Sequence, residues 1–446
     1  MALTGLDIYK QLPRTNCGDC GVPTCLAFAM KLAQKQVSLE QCPHASAEAK
    51  AALEGAAAPP IKLITIGAGE KKIEVGNETV LFRHEETFHR PPAIAVTVKA
   101  DSSADESGAR LEKIKTLSFE RVGQSIGVNL VAVVGGTDAA QFAAAAQLVA
   151  DNCDLAILLM SEDPEAMKAA VAAVKDRKPL LYAATPDNAE AMAAVAKEAG
   201  CPLVIKADGV AALAALSQKV QAAGVNDLIL DSGARDPARL VTDQTLIRRA
   251  ALRKKFRPLG FPTLAFANSD DAMAEALLAS LAVAKYAGIV VLDGAEPWEL
   301  LPILTVRQNI YTDPQKPIQL QSGLYEIGSP GTDSPVLVTT NFSLTYFTVE
   351  GDVEASKVPA WVVVVDTEGT SVLTAWASDK FTAETIAAKV KQTEVESKVS
   401  HRKLVIPGYV AVLSGKLEDE SGWKVIVGPR ESSGLPTFLR SSWSPA

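Results

Sequence analysis

Residues 129–160 read NLVAVVGGTDAAQFAAAAQLVADNCDLAILLM, and their pattern decides the fold of the central part of the chain. Two short apolar runs, NLVAVV (129–134) and LAILLM (155–160), flank the alanine-rich helical stretch DAAQFAAAAQLVA. The runs are continuous rather than alternating, and polar residues bound them. That pattern belongs to strands buried on both faces of a parallel sheet. A helix between two such strands is the crossover that parallel pairing requires.

The same unit recurs in both directions. IKLITI (61–66), AIAVTV (93–98), PLLYAA (179–184), PLVIKA (202–207), DLILDS (227–232), TLAFAN (263–268) and GIVVLD (288–293) bring the candidate strands to nine. Helices such as EAMAAVAKEAG separate them, the latter ending on a glycine cap at Gly200. Nine strands in this alternation suit a (β/α)8 barrel of the TIM type with one extra or misread strand. An open doubly wound sheet is the alternative, weakened by the lack of a Gly-x-Gly-x-x-Gly turn after any strand. In a barrel the carboxyl ends of the strands form the working face, where Asp231, Arg235, Asn268 and Asp293 fall. Two readings stay open there. These groups bind a pterin or another polar heterocycle, or Asp231 and Asn268 cap the helices that follow. No catalysis is assigned to them.

Ahead of the barrel, residues 16–43 read NCGDCGVPTCLAFAMKLAQKQVSLEQCP and hold four cysteines, Cys17, Cys20, Cys25 and Cys42. Four thiolates suit a cubane iron–sulfur cluster or a tetrahedral zinc. Three close cysteines with a fourth returning from a distance favour the cluster, because zinc sites usually bring two short pairs. Gly18 and Gly21 follow two of the ligands and let the backbone wrap closely around sulfur. Pro23 opens a helix from whose first turn Cys25 projects. A disulfide framework does not fit cysteines confined to one end of a long chain without a secretory signal. Cys153 and Cys201 stand singly beside strands and read as buried thiols. Residues 1–57 form this module, closed by an alanine-rich helix and the linker EGAAAPP.

The histidines His84 and His89, with Glu85 and Glu86, offer metal-ligand types. Pro91 and Pro92 make that segment extended, so it reads as a surface loop. The barrel spans 58–315. Proline, glycine and serine then mark 316–335 as a linker on which the last domain swings. Residues 336–446 alternate strand and helix again, as a small doubly wound sheet of Rossmann or flavodoxin type. Its loops at 369–374, Pro407–Gly408 and 431–434 gather at one edge, where Thr370 and Ser371 stand at a helix amino terminus. Gly408 and Gly434 allow close approach of a flat ligand.

The net charge of −8 argues against nucleic-acid binding. No run approaches a membrane span, and the amino terminus lacks an apolar signal core, so the chain reads as cytoplasmic in a reducing setting.

Together, NCGDCGVPTC…QCP, a barrel-like middle, and a terminal domain with TTNFSLTYF, GTSVLTAW and VIPG resemble the large (gamma) subunits of corrinoid iron–sulfur proteins of the anaerobic acetyl-CoA pathway. The resemblance spans the whole chain. It implies a methyl carrier rather than a stand-alone enzyme: a corrinoid cobalt takes a methyl group from methyltetrahydrofolate through a methyltransferase and passes it to acetyl-CoA synthase. A [4Fe–4S] cluster on Cys17, Cys20, Cys25 and Cys42 then returns oxidised cobalt to Co(I). Thr340, Tyr346, Thr370, Ser371, Val372, Leu373 and Ser433 fall in the segments that hold the corrinoid. A smaller (beta) subunit, the methyltransferase, acetyl-CoA synthase/CO dehydrogenase and a reductive activator are the implied partners. The terminal domain has one histidine, His401 in KVSHRKL, and no Asp-x-His-x-x-Gly loop, so the cobalt is expected base-off without a protein nitrogen beneath it. The rivals are an electron-transfer or activase protein without a corrinoid, and a pterin-binding barrel methyltransferase.

Overall fold

A computed structural model describes residues 5–33, 37, 39–46, 59–313 and 317–444. The chain divides into two units: 1–117 with 128–307, and 118–127 with 308–446.

The first unit contains the barrel. Its strands are β1 (Ala93–Lys99), β2 (Leu130–Val134), β3 (Ala156–Met160), β4 (Leu180–Ala184), β5 (Leu203–Lys206), β6 (Leu228–Asp231), β7 (Leu264–Phe266) and β8 (Ile289–Leu292). They stand side by side in chain order, all parallel, and β8 pairs back onto β1 with Ile289 opposite Ala93. Between β6 and β7 a single bridge, Leu230 to Thr263, completes the ring. The open-sheet alternative is thereby excluded. Alternate residues fill the interior: Ala93, Ala95, Leu130, Ala132, Leu158, Leu180, Val204, Ile229 and Val291 form one buried cluster. Mixed small and large side chains let its layers interlock. Four following helices begin on aspartates, Asp138, Asp163, Asp236 and Asp271, whose carboxylates accept backbone N–H groups of the first turn.

The ninth candidate strand has another place. Residues 64–66 pair antiparallel with 73–75 in a short hairpin. Ile64, Ile66 and Val75 join the barrel's inner cluster, while Gly67 N–H donates to Lys178 O (3.0 Å) just before β4. The hairpin therefore stoppers the amino-terminal mouth. An apolar run looks the same whether it is a barrel stave or a plug.

At the carboxyl end of β8, Glu275 accepts the N–H groups of Asp293 (2.7 Å) and Gly294 (2.8 Å). Glu299 lies against Glu275, and both are buried. Burial first, then the hydrogen bond and charge of Glu275, push the Glu299 carboxyl up to about 7. An acid raised in the fold costs nothing below its unfolded value of 4.5, and its cost grows as pH climbs to about 7. Glu299→Gln keeps a donor for Glu275 and removes the titration. We expect it to raise the melting temperature by roughly 5 °C at pH 8 and to leave it unchanged near pH 4. An equal gain at both pH values would refute the raised Glu299 carboxyl.

The second unit is a five-stranded sheet of β9 (Gly323–Ile327), β10 (Val336–Thr340), β11 (Ala360–Val365), β12 (Lys403–Ile406) and β13 (Lys424–Val427), in the order β9-β11-β10-β12-β13. All are parallel except β9, which runs antiparallel against β11. Val336, Val338 and Val363 face Ala375, Ile386 and Leu417 on one side. Leu337, Val362 and Val405 face Tyr346, Val353 and Leu439 on the other. Helices thus cover both faces, as continuous valine strands require.

Two expectations need correction. The stretch read as a linker, 316–335, contains β9, whose Leu324 and Tyr325 pack on the sheet; its turn residues belong to the loops at either end of that strand. Residues 118–127, a hairpin of Ser118–Arg121 and Gln124–Gly127, belong to the second unit, where Gln308 donates to the Arg121 carbonyl and the Gln124 side chain. The chain therefore crosses between the units three times, not once. The alanine-rich helix and most of the linker EGAAAPP lie at 47–58, outside the described residues.

Candidate functional site

In the cysteine module, Cys25 and Cys42 are buried in a small core with Ile8, Leu12, Val22 and Phe28, Cys20 packs against it, and Cys17 is exposed. None of the four is in a disulfide. The helix starts at Cys25 (Cys25–Ala33), two residues later than Pro23, because Thr24 Oγ1 accepts the Ala27 N–H (3.1 Å) and caps it. Asn16 clamps the ligand loop. Its side-chain oxygen accepts the Cys25 N–H (2.8 Å), and its own N–H points at Cys25 Sγ (3.4 Å). An N–H aimed at a thiolate stabilises the charged form and tunes the bound metal. Gly18 and Gly21 have φ of 80° and 77°, left-handed turns directly after Cys17 and Cys20 that glycine adopts freely. His44, two residues after Cys42, meets Asp19 at 2.6 Å, and their ligand atoms lie within 4.8 Å of Cys17 Sγ. Asp19 sits inside the quoted motif and His44 directly after it, yet spacing alone gave no reason to single them out.

Cys153 and Cys201 are buried singly, and burial pushes the Cys201 thiol up to about 11, so Cys201 is no reactive thiolate. The His84–His89 segment makes no metal cluster among the described residues. His84 stacks on Phe82 and His89 meets Glu86 at 3.2 Å. Buried Arg248 donates to the Val80 carbonyl (2.6 Å) and pairs with Glu78, fastening the segment to the barrel.

In the second unit, a cavity of about 340 Å³ opens between the carboxyl ends of β10 and β12. There the chain order reverses, β11 lying to one side and β12 to the other, and such a switch point leaves a crevice. Three loops reach it: Ser371, Val372 and Leu373; Pro407 and Tyr409; and Gly428 to Ser432. Leu337, Val349, Val405 and Leu435 line it, with Thr339, Thr345 and Thr348 among them. Thr339 is only 2 % exposed, and its Oγ1 has no hydrogen-bond partner among the described residues. An orphaned hydroxyl in a cavity wall costs stability until a ligand satisfies it.

Of the seven residues singled out for this pocket, Ser371, Val372 and Leu373 line it. Thr370 precedes them with its hydroxyl turned to the Thr367 carbonyl (2.7 Å), and Ser433 follows lining residue Ser432. Thr340 is wholly buried and its Oγ1 is likewise unpartnered. Tyr346 is a core residue, its ring tilted against that of Tyr325 and its hydroxyl donating to Glu350 (3.2 Å); burial, then the Glu350 charge, raise its phenol. Asn341 was not legible in advance. Its side-chain oxygen accepts from Thr367 N–H, Gly369 N–H and Thr367 Oγ1, at 2.9–3.0 Å, and so shapes the loop that presents Ser371. His401 lies before β12, at the other end of that strand from the cavity. One ring nitrogen accepts the Lys403 N–H (3.2 Å) and the other donates to the Ser334 carbonyl (2.9 Å).

At the barrel's carboxyl-terminal face, Asp231 caps no helix; Asp236 takes that role. Asp231 instead meets Arg235 at 2.8 Å, Asp293 accepts from Thr97, and Asn268 is exposed. Among the described residues no helix is long and apolar enough to cross a membrane.

Residues 63–439 match the family described as "CO dehydrogenase/acetyl-CoA synthase delta subunit", and residues 12–44 match the family described as "Putative Fe-S cluster". The corrinoid/iron-sulfur protein large subunit of Moorella thermoacetica is 50% identical over 443 residues, covering 99% of each chain. The acetyl-CoA decarbonylase/synthase complex subunit gamma of Methanopyrus kandleri is 42% identical over 451 residues, covering 98% of this chain and 97% of its own. Among solved structures, dihydropteroate synthase of Thermus thermophilus aligns with 52% of this chain and 100% of its own at 16% identity and a TM-score of 0.38. With 50% identity to one relative over nearly the whole of both chains and a family match across barrel and second unit alike, the chain belongs to the family of corrinoid/iron–sulfur protein large subunits, the gamma subunits of acetyl-CoA decarbonylase/synthase complexes.

Proposed function

We propose that this chain is a methyl carrier of the acetyl-CoA pathway, holding a corrinoid in the cavity of its second unit and a [4Fe–4S] cluster on Cys17, Cys20, Cys25 and Cys42. The observation that carries the reading is the meeting of three loops, at 371–373, 407–409 and 428–432, around one cavity at the switch point of a parallel sheet. The lining suits such a group. Leu337, Val349, Val405 and Leu435 offer apolar contact to hydrocarbon, and Thr339, Thr345, Thr348 and Ser371 offer hydroxyls to amide substituents. Thr339 Oγ1, buried without a partner, would gain one. In the module, three soft ligands at the edge of an apolar core and a fourth in solvent suit a cluster that must exchange electrons.

When bound, the corrinoid supplies a cobalt that accepts and releases a methyl group, and the cluster supplies a one-electron couple. The chain's residues hold, orient and shield. Ser371, Val372 and Leu373 close one side of the cavity on a loop that Asn341 fixes. His401 has both nitrogens engaged, about 16 Å of extended strand from Ile406, which supports cobalt without a protein nitrogen beneath it. Absence of a strong axial donor favours the lower oxidation state that methyl transfer needs. The partners in this reading are a small subunit, a methyltetrahydrofolate-dependent methyltransferase, acetyl-CoA synthase/CO dehydrogenase and a reductive activator, all in the cytoplasm.

Metal analysis with an ultraviolet–visible spectrum of anaerobically purified protein tests it. About four iron and about one cobalt per chain are expected, with a spectral change to the reduced corrinoid under strong reductant. Iron without cobalt, in protein that no added corrinoid reconstitutes, would leave an electron-transfer protein and overturn the carrier.

A further inference from the structure

The barrel's carboxyl-terminal mouth holds a carboxylate set to receive a planar cation. The Asp231 side chain is 2 % exposed at the end of β6. Its Oδ1 accepts from the Gly233 N–H (2.9 Å) and Arg235 Nη1 (3.1 Å); its Oδ2 accepts from Arg235 Nη2 (2.8 Å) and the Tyr182 hydroxyl (2.9 Å). Arg235 Nη2 also donates to Tyr182 Oη at 3.2 Å. The guanidinium carbon stands 4.2 Å from the centre of the Phe266 ring, and Tyr182 meets that ring edge-on at 5.4 Å. A buried carboxylate, a phenol and an aromatic face make a cradle, and an N–C–N edge with two parallel N–H donors lies in it.

That edge is not peculiar to arginine. Amidines, guanidines and 2-amino-4-oxopyrimidine rings present the same pair of donors to two carboxylate oxygens. Without such a partner, Asp231 would be a buried charge held only by a peptide N–H and a phenol. Arg235 comes from the loop that directly follows β6, four residues after Asp231, so its local concentration far exceeds that of a free ligand.

We propose that Asp231, Tyr182 and Phe266 form a site for a planar amidine- or guanidine-bearing ligand which Arg235 fills from within, so that this barrel takes up no free heterocycle of that class. Removing the arginine side chain empties the cradle and makes it a receptor for what Arg235 imitated.

The test is chemical rescue in the full chain. Methylguanidinium and 2-amino-4-hydroxypyrimidine, each at millimolar concentration, should raise the melting temperature of Arg235→Ala and bind it at least about tenfold more tightly than wild type. Arg235→Ala combined with Asp231→Asn should lose that response. If Arg235→Ala fails to fold, Arg235→Gln takes its place in the same titration. A folded variant that responds to neither compound at tens of millimolar overturns the site. Wild-type protein that binds tetrahydropterin with micromolar affinity overturns the closure. Iron and cobalt contents play no part in either outcome, so the test stands apart from the carrier reading.

Discussion

Cys25→Ala is expected to strip the protein of its iron, from about four per chain to less than about one, and to melt the cysteine module with it. Cys25 contributes at two levels. Its thiolate is one of four candidate ligands, and its side chain is part of the module's own core with Phe28, Ala29 and Cys42. That core is small, and domains of this size lean on a metal for stability. Asn16 would lose the sulfur its N–H addresses while keeping the Cys25 backbone bond, so the loop would be held at one point instead of two. Cys25→Ser separates ligation from volume and should lose iron to a similar extent. Cys201→Ala is the control, because Cys201 is buried singly with its thiol pushed up to about 11, and it should keep full iron and sulfide. Wild-type iron in Cys25→Ala would remove Cys25 from the ligand set. Zinc in place of iron in the wild-type protein would end the cluster reading altogether.

Gly408→Ala should weaken corrinoid binding by one to two orders of magnitude, roughly, and lower the melting temperature of the second unit. Gly408 follows β12 where the chain passes backbone to backbone beneath the loop after β13. Its N–H donates to the Pro429 carbonyl at 2.9 Å. A Cβ there would stand 2.6 Å from the Gly428 oxygen and 2.8 Å from the Arg430 nitrogen. Those are backbone atoms, so no side chain can swing aside, and the two loops must part. Both line the cavity, through Pro407 and Tyr409 on one side and Gly428 to Glu431 on the other. The distortion therefore reaches the ligand directly. Gly415→Ala, where an added Cβ meets nothing within 4 Å, should leave cobalt content unchanged. Gly408→Ala protein that retains cobalt at the wild-type affinity would show that this loop crossing does not shape the site.

Much of this was legible without coordinates. The four cysteines could be read because thiolates are rare, soft and useful mainly in groups, so spacing carries their meaning. Barrel strands were legible as continuous Val, Ile and Leu runs, because a strand buried on both faces has no polar side to interrupt it. The same rule mistook residues 64–66 for a ninth stave, since a plug at the barrel's end is just as apolar. It missed β9, whose sequence is half polar because an edge strand is covered less completely than a central one. Ser371 was found because it stands where a helix begins after a strand, whereas Val372 and Leu373 came only from the family resemblance. Asn341 escaped because its three acceptor bonds run to residues 26 and 28 positions away.

The sequence by itself determined the four-cysteine spacing, the barrel's staves and the three loops of the pocket, because each depends on local composition and short-range periodicity. Tertiary structure alone decided what those pieces do to one another. It decided between the two readings of Asp231, which caps no helix but pairs with Arg235, because the Tyr182 phenol 49 positions upstream meets that pair only once the strands are set side by side. It gave the hairpin 118–127 to the second unit, because packing rather than chain order sets which core a segment joins. It left the buried hydroxyl of Thr339, a residue of the cavity wall, without a partner, because burial belongs to the assembled sheet and not to the residue.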